Sequence, residues 1–131
     1  MKILIADDFP LFTQKLIQKL DNQANIVVAK NGKVALEEYH YAHKADNPFD
    51  LILLDLNMPI MGGEDFLTCV RTYEDGLIIP KTKIIIISAE KSTEKIMELF
   101  KKGCDYYLKK PFLKKDLDKA IYFIYKLSNT K

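Results

Sequence analysis

Apolar residues in this chain fall into two kinds of run. Five runs are short, continuous and rich in β-branched or aromatic side chains: Ile3-Leu4-Ile5-Ala6, Ile26-Val27-Val28-Ala29, Leu51-Ile52-Leu53-Leu54, Ile84-Ile85-Ile86-Ile87 and Tyr106-Tyr107-Leu108. Runs of this length without polar alternation predict strands covered on both faces. Between them, apolar residues recur three and four positions apart, which predicts helices. The stripes are Phe12, Leu16, Ile17 and Leu20; Val34, Ala35, Leu36 and Tyr39, over residues 34–41; Phe66, Leu67 and Val70; Ile96, Leu99 and Phe100; and Leu117, Ala120, Ile121 and Ile124.

Breaking residues fall between these segments. Pro10 suits the first turn of a helix, where its missing N–H costs nothing. Asn31-Gly32, Asp46-Asn47-Pro48, the loop 58–63 and Lys110-Pro111 turn the chain. Ser92 or Thr93 caps the fourth helix, and Gly103 follows it as the stop. Five strands alternating with five helices predict an α/β fold: a doubly wound, five-stranded parallel sheet of flavodoxin-like order 2-1-3-4-5. No repeat, linker or low-complexity stretch interrupts it, and residues 1–131 read as one domain.

In open sheets of this kind, ligands sit outside the carboxyl ends of the strands. Asp7 and Asp8 follow the first strand, Asp55 the third, Ser88 the fourth and Lys110 the fifth. Singly, each is ordinary, because acids at strand ends commonly close turns or cap helices. Together, four strand ends bring complementary groups to one edge. Three carboxylates meeting there raise one another's pKa values and destabilise the fold. A hard cation with oxygen ligands removes that repulsion, and Mg²⁺ commonly takes one or two carboxylates plus phosphate oxygens. A carboxylate is itself a competent nucleophile, giving an acyl phosphate, while a lysine and a hydroxyl hold the remaining phosphoryl oxygens. The expectation is Mg²⁺ held among Asp55, Asp8 and Asp7, with room beside it for a phosphoryl group.

Composition narrows the class. A chain of 131 residues, 48% apolar and 29% charged, is ordinary for a soluble globular protein. A net charge of +2 is too small to call for nucleic acid, but residues 1–90 carry −4 and residues 91–131 carry +6. The lysine-rich segment is either a solvated face or a docking surface for an acidic partner. Cys69 and Cys104 have no metal-ligand spacing and read as free thiols of a reducing compartment. The opening apolar run stops at Asp7, too short for a signal peptide or a membrane span. A cytoplasmic protein without membrane insertion is expected.

The motifs Ile5-Ala6-Asp7-Asp8, Leu53 to Gly63 around Asp55, Ile86-Ile87-Ser88-Ala89 and Gly103 to Phe112 resemble the receiver domain of two-component response regulators. The resemblance, similar to the chemotaxis response regulator, covers Lys2 to about Leu127. It implies that Asp55 is the phosphoacceptor. Asp8 and Asp55 would bind Mg²⁺ directly, with the backbone carbonyl of Asn57, and Asp7 through water; Mn²⁺ would substitute. Lys110, rather than Lys109, would contact the phosphoryl group, and Ser88 would donate its hydroxyl on activation. Tyr107 would swing inward as Ser88 moves, and the Lys110-Pro111 peptide would be cis. Asn57 and Glu90, two beyond the acceptor and two beyond Ser88, resemble the residues that orient attacking water in fast-dephosphorylating members.

The implied donor is a phosphohistidine of a histidine kinase or phosphotransfer protein. The implied output is an unnamed protein target on the fourth-helix, fifth-strand and fifth-helix face, or a phosphorylation-dependent dimer, and not nucleic acid. Tyr122 and Phe123 read either as scattered surface aromatics or, with Tyr107 and nearby lysines, as part of that surface. His40 and His43 read as surface residues, Cys104 as a buried thiol, and Gly62-Gly63 as a pair that loosens the loop before the third helix.

Rival readings are weaker. A haloacid-dehalogenase-type aspartyl phosphatase needs Asp-x-Asp-x-Thr after strand one, where this chain has Asp7-Asp8-Phe9-Pro10. A flavin-binding module needs a phosphate loop there, and carboxylates repel phosphate. A non-enzymatic switch is expected. Met1 and the tail Ser128-Asn129-Thr130-Lys131 favour a stand-alone regulator over a receiver taken from a hybrid kinase or multidomain regulator.

Overall fold

Each apolar run forms a strand and each stripe a helix. The computed structural model describes residues 1–20 and 22–129. In chain order the elements are β1 (Lys2–Ala6), α1 (Pro10–Lys19), β2 (Asn25–Ala29), α2 (Gly32–Lys44), β3 (Leu51–Asp55), α3 (Gly63–Asp75), β4 (Lys83–Ser88), α4 (Thr93–Lys101), β5 (Tyr106–Lys109) and α5 (Lys114–Asn129). All strand pairs are parallel and the sheet order is β2-β1-β3-β4-β5. Ser128 and Asn129, expected as tail, continue α5, while Thr130 and Lys131 lie outside the described residues. No helix among the described residues is long and apolar enough to cross a membrane.

The strands bury both faces by sending alternate side chains opposite ways. Leu4, Ala6, Ile52, Leu54, Ile84 and Ile86 meet Ala35 and Tyr39 of α2, Phe66, Leu67 and Val70 of α3, and Leu99 of α4. Ile3, Ile5, Leu51, Leu53, Ile85 and Ile87 meet Leu16 of α1 and Leu117, Ala120 and Ile124 of α5. Full burial of each such aliphatic side chain contributes about 1.5–3 kcal/mol. Cys104 is buried in the first of these cores, and burial pushes its thiol up to about 12.

Local signals place the helix ends. Pro10 opens α1. The Asn31 side chain accepts from Val34 N at 2.8 Å, starting α2 two residues before the apolar stripe. Ser92 accepts from Lys95 N and caps α4, and Gly103 follows at φ 110°. Gly63 does not loosen its loop. A Cβ there would lie 2.2 Å from the carbonyl oxygen of Asp55, so glycine lets α3 dock directly on the end of β3.

A buried polar network ties the opposite, amino-terminal edge of the sheet. Arg71, the chain's only arginine, donates to Glu74 at 2.6 Å, to the Thr82 and Gly103 carbonyls at 2.8 and 2.9 Å, and to Asp105 at 3.0 Å. Glu74 also accepts from the Tyr39 hydroxyl at 2.7 Å and from Thr82 N at 3.0 Å. Asp105 accepts from Ile84 N at 2.8 Å. Every charge in the set is answered, which a buried charge requires.

His43 departs from the surface placement expected of it. It is half-buried, its ring 4.6 Å from that of Tyr39 and 5.8 Å from that of Tyr73, with Nε2 buried and lacking a hydrogen-bond partner. Burial lowers its pKa. The reason is that α2 runs on to Lys44, beyond the predicted residue 41, and lies against α3. His40 is exposed as expected, edge-on to Tyr73.

Removing one partner of the buried pair strands the other. Arg71→Met is expected to destabilise the protein by about 3–5 kcal/mol, and Arg71→Met with Glu74→Met by clearly less. Urea denaturation of both variants checks this; a single-variant loss below about 1 kcal/mol would contradict the assignment.

Candidate functional site

Strand register builds the site. Ala6 lies beside Leu54 in the β1–β3 pair, so Asp7 and Asp55 emerge at one level from neighbouring strands. Asp55 lies beside Ile87 and Ser88 beside Lys109, so Ser88 and Lys110 each stand one step further out along the same edge. The amide of Lys110 donates to the Ser88 carbonyl at 2.8 Å, and the Lys110-Pro111 peptide is cis, as expected.

The three carboxylates converge. Asp7, Asp8 and Asp55 each offer an oxygen, and these lie within 4.8 Å of one another. Asp7 and Asp55 are buried and Asp8 is exposed. Asp7 also performs the ordinary turn role, since its Oδ1 accepts from Phe9 N at 2.8 Å and closes the entry to α1. The Lys110 ammonium lies 3.7 Å from Asp7 Oδ2 and 3.8 Å from Asp55 Oδ1. It also sits 4.0 Å above the centre of the Phe12 ring.

Burial pushes the Asp55 carboxyl up to about 6. Lys110 opposes that rise, Asp7 adds to it, the Asn57 N–H opposes it and Asp8 adds to it. Asp7 is raised by the same burial, against the Phe9 N–H and Lys110. Hard oxygen donors, crowded and partly deprived of water, fit a divalent cation of the Mg²⁺ type.

Beside the carboxylates a cavity of about 270 Å³ is lined by Leu56, Asn57, Glu64, Ser88, Glu90 and Lys95. Ser88 is buried, and its Oγ accepts from Glu90 N at 3.1 Å. The Tyr107 hydroxyl donates to the Glu90 carbonyl at 2.8 Å, with the ring half-buried against the core. Asn57 is exposed at the rim. Asp7, Asp8, Asp55, Asn57, Ser88, Glu90 and Lys110 therefore lie along this edge, and Tyr107 touches it through Glu90.

Two neighbours were not legible as site residues. Phe12 reads as one member of a core stripe, and its spacing does not say that a lysine stacks on it. Glu64 reads as a surface acid in the first turn of α3. In the fold its carboxylate takes both Lys95 of α4 and Lys102, the residue just after it, at 2.5 Å, and these lysines lower its pKa. Tyr122 and Phe123 are exposed on α5, with Phe123 against Tyr106.

A larger cavity, about 1100 Å³, opens at the other edge of the sheet, among residues such as Arg71, Asp75, Lys81, Lys101 and Tyr125. None of the strand-end acids lines it. The converging carboxylates, not cavity size, mark the candidate chemistry.

Comparison with known proteins agrees with this geometry. The model of the response regulator receiver domain matches residues 3–122. The chain is 33% identical to the chemotaxis protein CheY of Pseudomonas aeruginosa, over 98% of this chain and 99% of that one. It is 34% identical to the hybrid signal transduction histidine kinase I of Dictyostelium discoideum, over 92% of this chain but only 7% of that kinase. Among solved structures, the receiver domain of the Francisella response regulator 1452 is 34% identical, with a TM-score of 0.78 over 97% of this chain and 98% of that one. A match of this extent makes the chain a member of the response regulator receiver domain family.

Proposed function

We propose that this chain, as one receiver domain over residues 1–131, is a phosphorylation switch that accepts a phosphoryl group on Asp55. The observation that carries the reading is the Asp55 carboxylate beside Asp7, Asp8 and the Lys110 ammonium at one strand edge. An Asp55 oxygen attacks the phosphorus of a phosphohistidine on a histidine kinase or phosphotransfer protein. The P–N bond breaks and its electron pair leaves with the imidazole, giving an acyl phosphate on Asp55.

Asp8, Asp55 and the Asn57 carbonyl would hold Mg²⁺ directly and Asp7 through water. Bound there, Mg²⁺ supplies the positive charge that offsets the carboxylates and the transferring phosphoryl oxygens. Lys110 advances from its carboxylate neighbours onto a phosphoryl oxygen, and Ser88 donates its hydroxyl to another. Ser88 then releases the Glu90 amide, and Tyr107, bonded to the Glu90 carbonyl, follows that shift. A change at Asp55 thus reaches the α4, β5 and α5 face, where Tyr122 and Phe123 are exposed to a protein partner or a second copy. The protein acts in the cytoplasm as a switch that assists its own phosphorylation and reset. A stand-alone regulator and a module of a hybrid kinase use this site alike, and the mass of the native polypeptide separates them.

Incubation with acetyl phosphate and Mg²⁺, and with phosphorylated histidine kinases of the source organism, is expected to place hydroxylamine-labile phosphate on the protein. Asp55→Asn should take none; equal labelling of that variant would sink the assignment.

Stability of the metal-free protein should depend on pH with a definite sign. Burial raises Asp55 from its ordinary 3.8 to about 6, so the folded state favours its neutral form. The stability from this group is full below pH 3.8 and is lost as pH rises through about 6. Asp55→Asn should therefore stabilise the metal-free protein at pH 7.5 by about 1–2 kcal/mol, a figure discounted for partial solvation, and hardly at all near pH 4. Thermal unfolding at the two pH values, with chelator present, reads the difference; a gain that is larger at the acid end would contradict it.

Asn57 and Glu90 line the cavity beside the acceptor, where they orient the water that resets the switch. Replacing Asn57 by Met and Glu90 by Leu should lengthen the phosphoryl lifetime severalfold without preventing phosphorylation. A wild-type lifetime of many hours in Mg²⁺ would rule out this role.

A further inference from the structure

Lys110 carries a flexible four-carbon stem, and its ammonium rests among Asp7, Asp55 and Phe12. Its two carboxylate neighbours lie 3.7 and 3.8 Å away, beyond ordinary hydrogen-bond length, so they attract it without fixing it. The group closest in character to a seat is the face of Phe12, 4.0 Å from ammonium to ring centre, well inside the range of about 6 Å over which a ring quadrupole attracts a cation. Phe12 stands in the first turn of α1 and is half-buried. Its ring is braced by Phe112, edge-on at 6.1 Å and 76°, and Phe112 is two residues beyond Lys110. Both rings pack on the core formed by α1, α5 and the sheet.

We propose that Phe12 is a positioning residue, whose ring face seats the Lys110 ammonium at the carboxylate cluster in readiness for phosphoryl oxygens. The inference rests on the reading of Lys110 as a phosphoryl contact. A ring suits the task for two reasons. It uses none of the ammonium's three N–H donors in a hydrogen bond to an oxygen, so all remain free for the phosphoryl group. It also carries no net charge, so it does not compete with the incoming anion as a third carboxylate would. Phe12 follows directly on the turn that Asp7 closes at the entry to α1, so one short stretch of chain links the seat to the acidic cluster.

Fluorination separates this role from simple packing. Fluorine drains electron density from the ring face with little change of shape. Replacing Phe12 by 3,5-difluoro- and then 3,4,5-trifluorophenylalanine should slow phosphorylation by acetyl phosphate stepwise, at unchanged Mg²⁺ affinity and melting temperature. Phe12→Leu should slow it about three- to thirtyfold, and Phe12→Trp should retain the rate. In metal-free protein, the ε-methylene protons of Lys110 should be shifted upfield by the ring and lose that shift in Phe12→Leu. A flat fluorine series in a protein that is phosphorylated normally, or unshifted Lys110 protons, overturns the inference alone. Absence of phosphorylation in the wild type overturns the reading beneath it as well.

Discussion

Like charges forced together at one level of the sheet govern the rest of this molecule. The pairing of Ala6 with Leu54 leaves Asp7 and Asp55 no separate exits, and Asp8 turns to the same place. Two unit charges within 4.8 Å repel by on the order of 3 kcal/mol at an effective dielectric constant of about 20. Such crowding persists only where the backbone beneath it is over-determined. Here β1, β3 and β4 are packed on both faces, and Gly63 lets α3 rest directly on the Asp55 carbonyl. The apolar core thus holds in place a charge arrangement that the polar groups alone would disperse.

The two edges of the sheet treat charge in opposite ways. At the amino-terminal edge, Arg71, Glu74 and Asp105 meet at hydrogen-bond distance, with Tyr39, Thr82 and Gly103 taking up the remaining groups. That set joins α2, α3, β4 and β5 and leaves its charges nothing further to gain. At the carboxyl edge the carboxylates are near one another, Lys110 is near but not bonded, and Asp55 is raised by burial. Consistency across levels is broken at this edge and kept at the other, and such breaks are expected at functional sites.

Two short links lead away from the carboxyl edge. Residues 88–90 touch it through Ser88 and touch β5 through the Tyr107 hydroxyl on the Glu90 carbonyl. Glu64, at the start of the helix that rests on Asp55, holds Lys95 of α4 and Lys102 at its end. Surface ion pairs contribute little stability individually. Their value here is geometric, since they tie the placement of α4 to the helix whose first residue rests on Asp55.

Much of this was legible in the chain itself. Continuous β-branched runs are their own signal for buried parallel strands, and their polar endings named Asp7, Asp8, Asp55, Ser88 and Lys110 before any distance was known. Helix ends were less legible. The α2 stripe fades at residue 41, yet the helix continues to Lys44, which brings His43 against Tyr73 of α3. Arg71 and Glu74 look in sequence like any charged pair one helical turn apart, and Phe12 like any core aromatic. A period in sequence tells which face of an element is apolar. It does not tell which residue of a distant element stands opposite, because that depends on register and helix docking summed over the whole fold. By itself, then, the sequence determined the strands, their order and the acids at their ends. Only the tertiary structure decided that Arg71 and Glu74 are buried as a pair and that Lys110 rests on Phe12, since the first depends on Tyr39, Thr82, Gly103 and Asp105 from other segments and the second joins opposite ends of the chain.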